Sequence, residues 1–117
     1  MEMTFDRREH VLCATVTGRL DGETTPRFDA DLREAVRETD RYLIVDLAGV
    51  TYMNSSGLRV ILTMAKRLKE QGGRGLVCGL STALHQMFTV SGFDKVIHIA
   101  KSRERAFDAL GGRPPTD

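Results

Sequence analysis

Asn54-Ser55-Ser56-Gly57 is the stretch whose residue types and position could do chemistry. It follows a strand-like apolar run that starts at Tyr42, and it directly precedes an amphipathic helical segment. A strand, a loop of small hydroxyl residues and a helix start therefore come in that order. The N-terminus of a helix carries free backbone N–H groups and the positive end of the helix dipole, so negative charge is favoured there. Two readings stay open. Asn and Ser are good helix caps, and Gly57 lets the chain turn tightly. Alternatively a hydroxyl, Ser55 first, accepts a phosphate, which adds a charge of about −1.5 to −2 without unfolding the domain. Capping explains one polar residue well and four consecutive small ones less well. Loops at the carboxyl ends of strands in open α/β sheets are also where ligands and partners bind.

Competing chemistry has little to build on. Gly-x-Ser-x-Gly, the nucleophile elbow, does not occur in the chain. His10, His85 and His98 fall in a predicted turn, helix and strand, without metal-ligand spacing, and supply no sequence-local base for Ser55 or Ser56. His98 reads as a surface strand residue or a satisfied core polar group. Cys13 and Cys78 lie inside predicted strands and read as small buried hydrophobes; no Cys-x-x-Cys pair is present. Gly72-Gly73-Arg74-Gly75 looks like a phosphate loop but sits between a helix and a strand, the reverse of the order such a loop needs. A helix C-cap and turn is the better reading. No metal and no cofactor is implied.

The elements that must position Ser55 follow from periodicity. Met3-Thr4-Phe5 predicts a short strand, Arg7 to His10 a polar turn, and Val11 to Thr17 a second strand, together an antiparallel hairpin. Gly18 to Thr24 reads as a loop. Thr25 is placed to cap a helix with Pro26 at its first position, and Phe28, Leu32, Ala35 and Val36 form the buried face. Tyr42 to Leu47 predicts a strand covered on both faces. The next helix, with Leu58, Ile61, Leu62, Ala65 and Leu68 inward, stops at Gly72-Gly73. Leu76-Val77-Cys78 is a fourth strand. A helix capped by Ser81 follows, with Leu84, Met87 and Phe88 on one face, and closes at Ser91-Gly92. Val96 to Ile99 is a fifth strand. Ser102 caps a last helix through Leu110, stopped by Gly111-Gly112. Alternation of this kind predicts an α/β fold: a mixed, largely parallel five-stranded sheet flanked by four helices, with right-handed crossovers. Residues 1–111 are expected to form one domain and 112–117 a polar tail.

The totals agree with a single globular domain. The chain has 117 residues, 41% hydrophobic and 28% charged. Lys and Arg number 17 against 16 Asp and Glu, for a net charge of +1. No basic excess points to nucleic acid, and with five Phe, two Tyr and no Trp there is no base-stacking platform. No apolar run approaches membrane-spanning length, and no signal core follows the acidic first residues, so the cytoplasm is the expected compartment.

From Asp46 to Leu58 the chain closely resembles the signature of STAS-domain anti-sigma factor antagonists: a strand ending in Asp-Leu, a short loop, an aromatic, then Asp-Ser-Ser-Gly-Leu or Asp-Ser-Thr-Gly-Leu. Gly18-Arg19-Leu20-Asp21, the helix ending in Gly72-Gly73, Leu76 to Leu80, and Phe88 to Phe93 resemble further landmarks of the family in the same order. The resemblance implies a STAS fold and no catalytic activity or cofactor. It implies that an anti-sigma factor, a serine kinase, phosphorylates Ser55. The unphosphorylated form would bind that kinase and free the sigma factor, and a PP2C-type phosphatase would restore binding. Asp21, Met53, Asn54, Ser56, Gly57 and Arg59 are the expected partner-binding residues. The chain departs from the family at Asn54, where Asp is usual; Asn keeps the size and capping ability and removes the charge. Other readings are a non-sigma partner-switching output, such as secretion or biofilm control, or a STAS subunit of a transport complex.

Overall fold

A computed structural model describes residues 1–110 of the chain. The elements run β1 (Glu2–Arg8), β2 (Val11–Leu20), α1 (Thr25–Ala35), β3 (Tyr42–Met53), α2 (Ser55–Glu70), β4 (Arg74–Cys78), α3 (Thr82–Val90), a 3-10 turn (Phe93–Lys95), β5 (His98–Ala100) and α4 (Arg103–Asp108). The sheet order is β1-β2-β3-β4-β5. Only β1 and β2 are antiparallel; the other neighbours are parallel. This is the expected architecture.

Both faces of the central strands are covered, which is why β3 opens as an unbroken apolar run. The larger core lies on the face under α1, α2 and α3, where Phe28, Leu32, Leu43, Leu58, Ile61 and Phe88 are buried. The smaller core, with Cys13, Ile44, Leu76 and Cys78, lies on the other face under Ala106 and Phe107 of α4. Cys13 and Cys78 are buried thiols, as expected, and burial pushes the Cys78 thiol up to about 12. They sit on β2 and β4, with β3 between them. Two strand spacings are about 9.6 Å, beyond disulfide reach.

Arg67 of α2 and Gln71, the residue that caps its end, hold the end of α1 and the chain that follows it. Arg67 donates through Nη1 to the Arg33 carbonyl at 3.1 Å and through Nη2 to the Val36 carbonyl at 3.0 Å. Gln71 Nε2 donates to the carbonyls of Arg37 and Asp40 at 3.0 and 3.1 Å. The Arg33 carbonyl is one that the C-terminus of α1 leaves free, and those of Val36, Arg37 and Asp40 belong to the connection towards β3. On the far side, Arg7 of β1 grips Asp40 with two bonds, Nε to Oδ1 at 2.9 Å and Nη2 to Oδ2 at 2.8 Å. The Asp40 side chain is fully buried.

Several boundaries differ from expectation. β1 extends through Arg7 and Arg8, leaving a turn of Glu9 and His10 in which Glu9 takes a positive φ of 55°. β5 starts at His98 rather than Val96. The N–H groups of Val96 and Ile97 are both committed to the Phe93 carbonyl of the 3-10 turn, at 3.0 Å each. The last helix ends at Asp108, and Ala109 and Leu110 form a turn. The Gly111-Gly112 stop and the polar tail lie outside the described residues.

Candidate functional site at the start of helix α2

The largest departure from the sequence reading lies at the site itself. Gly18 to Leu20 is strand and not loop, and β3 runs past Leu47 to Met53. The two strands pair in parallel to Leu20↔Met53, with register irregularities between Thr15 and Thr17 and between Gly18 and Arg19. Pairing at the end of a sheet overrides the weak strand preference of Gly and polar residues. Gly18, at φ 92°, supplies one of the bends. The result is a rigid ledge at the carboxyl end of β2 and β3, from which α2 starts.

Asn54 makes the cap. Its Oδ1 accepts from the backbone N–H of Ser56 at 3.0 Å and of Gly57 at 3.1 Å. Its own N–H donates to the Leu20 carbonyl at 3.0 Å. The capping duty therefore falls on Asn54, and the exposed hydroxyls of Ser55 and Ser56 are not needed for it. Ser55 is the first residue of α2. A phosphate there would meet the positive end of a 16-residue helix.

Gly57 and Met53 act from below. Met53 is 3% exposed, and Gly57 is buried too. A Cβ on Gly57 would come within 3.0 Å of Met53 Cγ and 3.2 Å of Leu20 Cβ. Both were expected among the partner-binding residues; in the fold they lie beneath the helix start and set how closely α2 packs on the ledge. The alternation of β3 explains Met53. Tyr52 points out, 43% exposed, so Met53 points in.

Asp21 is half-buried and works locally. Its Oδ1 accepts from the N–H groups of Glu23 and Thr24 at 3.0 and 3.1 Å. The Thr24 bond is the main reason its carboxyl titrates below the ordinary range. Its carbonyl accepts the Thr25 N–H at 2.9 Å and the Thr25 hydroxyl at 2.6 Å. Thr25 is thus inside α1, and the cap position is Thr24, without a side-chain cap bond. Asp21 organises the turn instead.

Two neighbours were missed from sequence. The Arg19 guanidinium lies over the Tyr52 ring, 4.4 Å from its centroid, and its Nε is 3.5 Å from Asp21 Oδ2. The parallel register pairs Arg19 with Tyr52 directly. No signal in the sequence sets that register, because the irregularities in β2 shift it. Arg59 is exposed and lines a groove of roughly 460 Å³ between α1 and α2 with Ser56, Val60, Met64, Asp29 and Arg33.

A hydrolase reading finds no base here. His10 and His98 belong to the opposite end of the sheet from Ser55, and His85 lines a separate cavity with Leu80, Ile99 and Lys101. Among the described residues, no group of His, Cys, Asp and Glu is placed to hold a metal ion. No helix among them is long and apolar enough to cross a membrane.

The STAS domain profile matches residues 2–106, and the chain belongs to the STAS domain family. It is 32% identical over 110 residues to BtrV of Bordetella bronchiseptica, a protein assigned as an anti-sigma factor antagonist, covering 94% of this chain and 95% of the relative. It is 27% identical over 111 residues to the anti-sigma F factor antagonist of Paenibacillus polymyxa, with 94% and 95% covered. Among solved structures it resembles the anti-sigma factor antagonist SpoIIAA in its unphosphorylated form, with a TM-score of 0.75, 18% identity and 95% and 99% of the two chains covered. SpoIIAA of Bacillus in its phosphorylated form aligns with a TM-score of 0.69 at 20% identity, covering 93% and 99%.

Proposed function

We propose that this chain is an anti-sigma factor antagonist that works by partner switching through Ser55. In the unphosphorylated form it binds an anti-sigma factor of the serine kinase class, and the sigma factor is freed. Phosphorylation of Ser55 by that kinase abolishes binding, and a PP2C-type phosphatase restores it. The protein acts in the cytoplasm as a docking partner, without catalysis or cofactor of its own.

One observation carries this reading. Asn54 takes both cap bonds, so the Ser55 hydroxyl is exposed at the helix N-terminus with no capping duty. The contact surface is Ser55, Ser56 and Arg59 on α2, Asn54 at its cap, and Asp21 on the neighbouring turn, with Arg19 and Tyr52 added on the ledge. A phosphate buried against a partner without matching charge is costly. A hundredfold loss of affinity, about 2.7 kcal/mol, is enough for a switch.

The experiment combines phosphorylation and binding with the cognate kinase. Mass spectrometry is expected to place the phosphate on Ser55, and Ser56→Ala is expected to leave it there. Ser55→Ala should bind the kinase constitutively, and Ser55→Asp should bind poorly. Binding of Ser55→Asp as tight as wild type would sink the switch at this residue.

A further inference from the structure

The two edges of the sheet differ in what they offer a partner. β5 is an edge of three residues, too short to template a second chain. β1 is an edge of seven residues, in unbroken register with β2, without proline or lysine. Its Glu2, Thr4, Phe5, Asp6 and Arg8 are exposed. The hairpin closes on the two residues Glu9 and His10, so Arg8 and Val11 form the hydrogen-bonded pair beside the turn. Bonding alternates along an antiparallel ladder, which leaves the N–H and C=O groups of Met3, Phe5 and Arg7 pointing to the open edge. Side chains alternate too. Phe5, opposite the buried Ala14, lies on the face of the larger core yet is 39% exposed. Glu2, Thr4, Asp6 and Arg8 lie on the other face, that of the smaller core, where Cys13 and Val11 stand opposite Asp6 and Arg8.

We propose that the β1 edge binds β1 of a second copy of this chain, antiparallel, to form one continuous sheet across both copies. A two-fold axis perpendicular to the sheet keeps each side chain on its own face, and the register then has one well-matched choice. With Phe5 opposite Phe5, every residue of β1 has a partner. Glu2 faces Arg8 of the second copy at both ends, Thr4 faces Asp6, and Met3 faces Arg7. Opposite charges directly across a strand pair stabilise it, and like charges destabilise it. A shift of two residues one way sets Glu2 opposite Asp6; the other way it sets Asp6 opposite Asp6. Charged side chains usually guard an edge against pairing. Here their order, acidic at one end and basic at the other, admits a single register. Arg8 already reaches along this face, with Nε 3.2 Å from Asp6 Oδ2. Its guanidinium has further donors for Glu2 of the second copy. The two exposed Phe5 rings meet at the axis and cover each other. Seven residues span only about 24 Å. The contact is therefore smaller than the standard interface of about 1,600 Å², and the dimer is weak and concentration-dependent. The proposal is independent of the reading of Ser55, which follows β3, two strands in from this edge.

The test is sedimentation velocity of the full chain from about 10 μM to about 1 mM at low salt, where surface charge is least screened. A monomer passing to a dimer is expected, with a dissociation constant of about 100 μM. Amide hydrogen exchange at Met3, Phe5 and Arg7 should slow as the concentration rises. Glu2→Arg and Arg8→Glu change exposed positions, so both should keep the wild-type melting temperature. Each sets like charges opposite one another at both ends of the pair and should weaken self-association at least about tenfold. Mixed in equal amounts, the two variants should form a dimer again, because every Glu2–Arg8 position then joins opposite charges. The double variant Glu2→Arg with Arg8→Glu should dimerise as wild type. A monomer at every concentration overturns the proposal. A dimer that neither single variant weakens, or that mixing the two does not restore, overturns it as well, since the contact then lies on another surface.

Discussion

The backbone N–H of Asn54 donates to the carbonyl of Leu20 across 3.0 Å. This bond extends the β2–β3 pairing by one step beyond the last strand residue and fixes where α2 begins. Leu20 also packs where Gly57 leaves space. One residue of β2 thus holds both the cap and the first turn of the helix that carries Ser55.

Asn54 is the place to test that geometry. Asn54→Ala removes the acceptor for the Ser56 and Gly57 N–H groups. It should cost about 1 kcal/mol in urea unfolding. Asn54→Asp keeps the acceptor and adds a negative charge at the helix N-terminus. It should stabilise by about 0.3–1 kcal/mol at low salt, and by less at high salt. An Asp variant less stable than wild type at low salt would show that the charge is unwelcome there.

Tyr52 separates binding from folding. It is exposed, and its stacking with Arg19 is an exposed cation–π contact worth about 0.5–1 kcal/mol at most. Tyr52→Ala should therefore change unfolding free energy by no more than about 1 kcal/mol. Aromatic anchors are enriched among interface hot spots, so affinity for the anti-sigma factor should fall by at least about 2 kcal/mol, roughly thirtyfold. Calorimetry that finds unchanged affinity would remove Tyr52 and Arg19 from the docking surface.

Arg7 and Asp40 set a dependence on acid. Burial alone would push the Asp40 carboxyl up. The bonds from Arg7 and from the Arg37 N–H outweigh it and hold the carboxyl below its ordinary value. A carboxyl whose pKa is lower folded than unfolded stabilises above the unfolded value, about 3.9, and that contribution is lost as pH falls through the folded value. Arg7→Gln should cost about 3 kcal/mol near neutral pH, by leaving Asp40 buried without its cation. The gap from wild type should narrow below about pH 4. Urea melts at both pH values measure it; a gap that stays constant would show that Asp40 is not ionised in the folded protein.

Much of the fold was legible because its signals are local. The 3.6-residue spacing of Leu58, Ile61, Ala65 and Leu68, the Ser81 and Ser102 caps, and the apolar opening of β3 each depend on neighbours within one or two turns. Strand ends were not legible. Gly18 and Gly49 interrupt the two strand patterns, so Gly18 to Leu20 and Ala48 to Met53 fall outside them in sequence, yet each is strand because it pairs with the other. Met53 was misplaced for the same reason: once its segment is read as loop, alternation no longer says that it points inward.

By itself the sequence determined the element order, the α/β class, and Ser55 as a hydroxyl at a helix start behind a buried strand. Those are properties of short windows, where periodicity and capping chemistry act. Only the tertiary structure decided that Asn54 takes both cap bonds, that Arg19 stacks on Tyr52, and that Arg7 of β1 holds the buried Asp40. Each joins groups brought together by strand register and helix packing, and the free energy that sets these is spread over the whole core rather than held in any one stretch of chain.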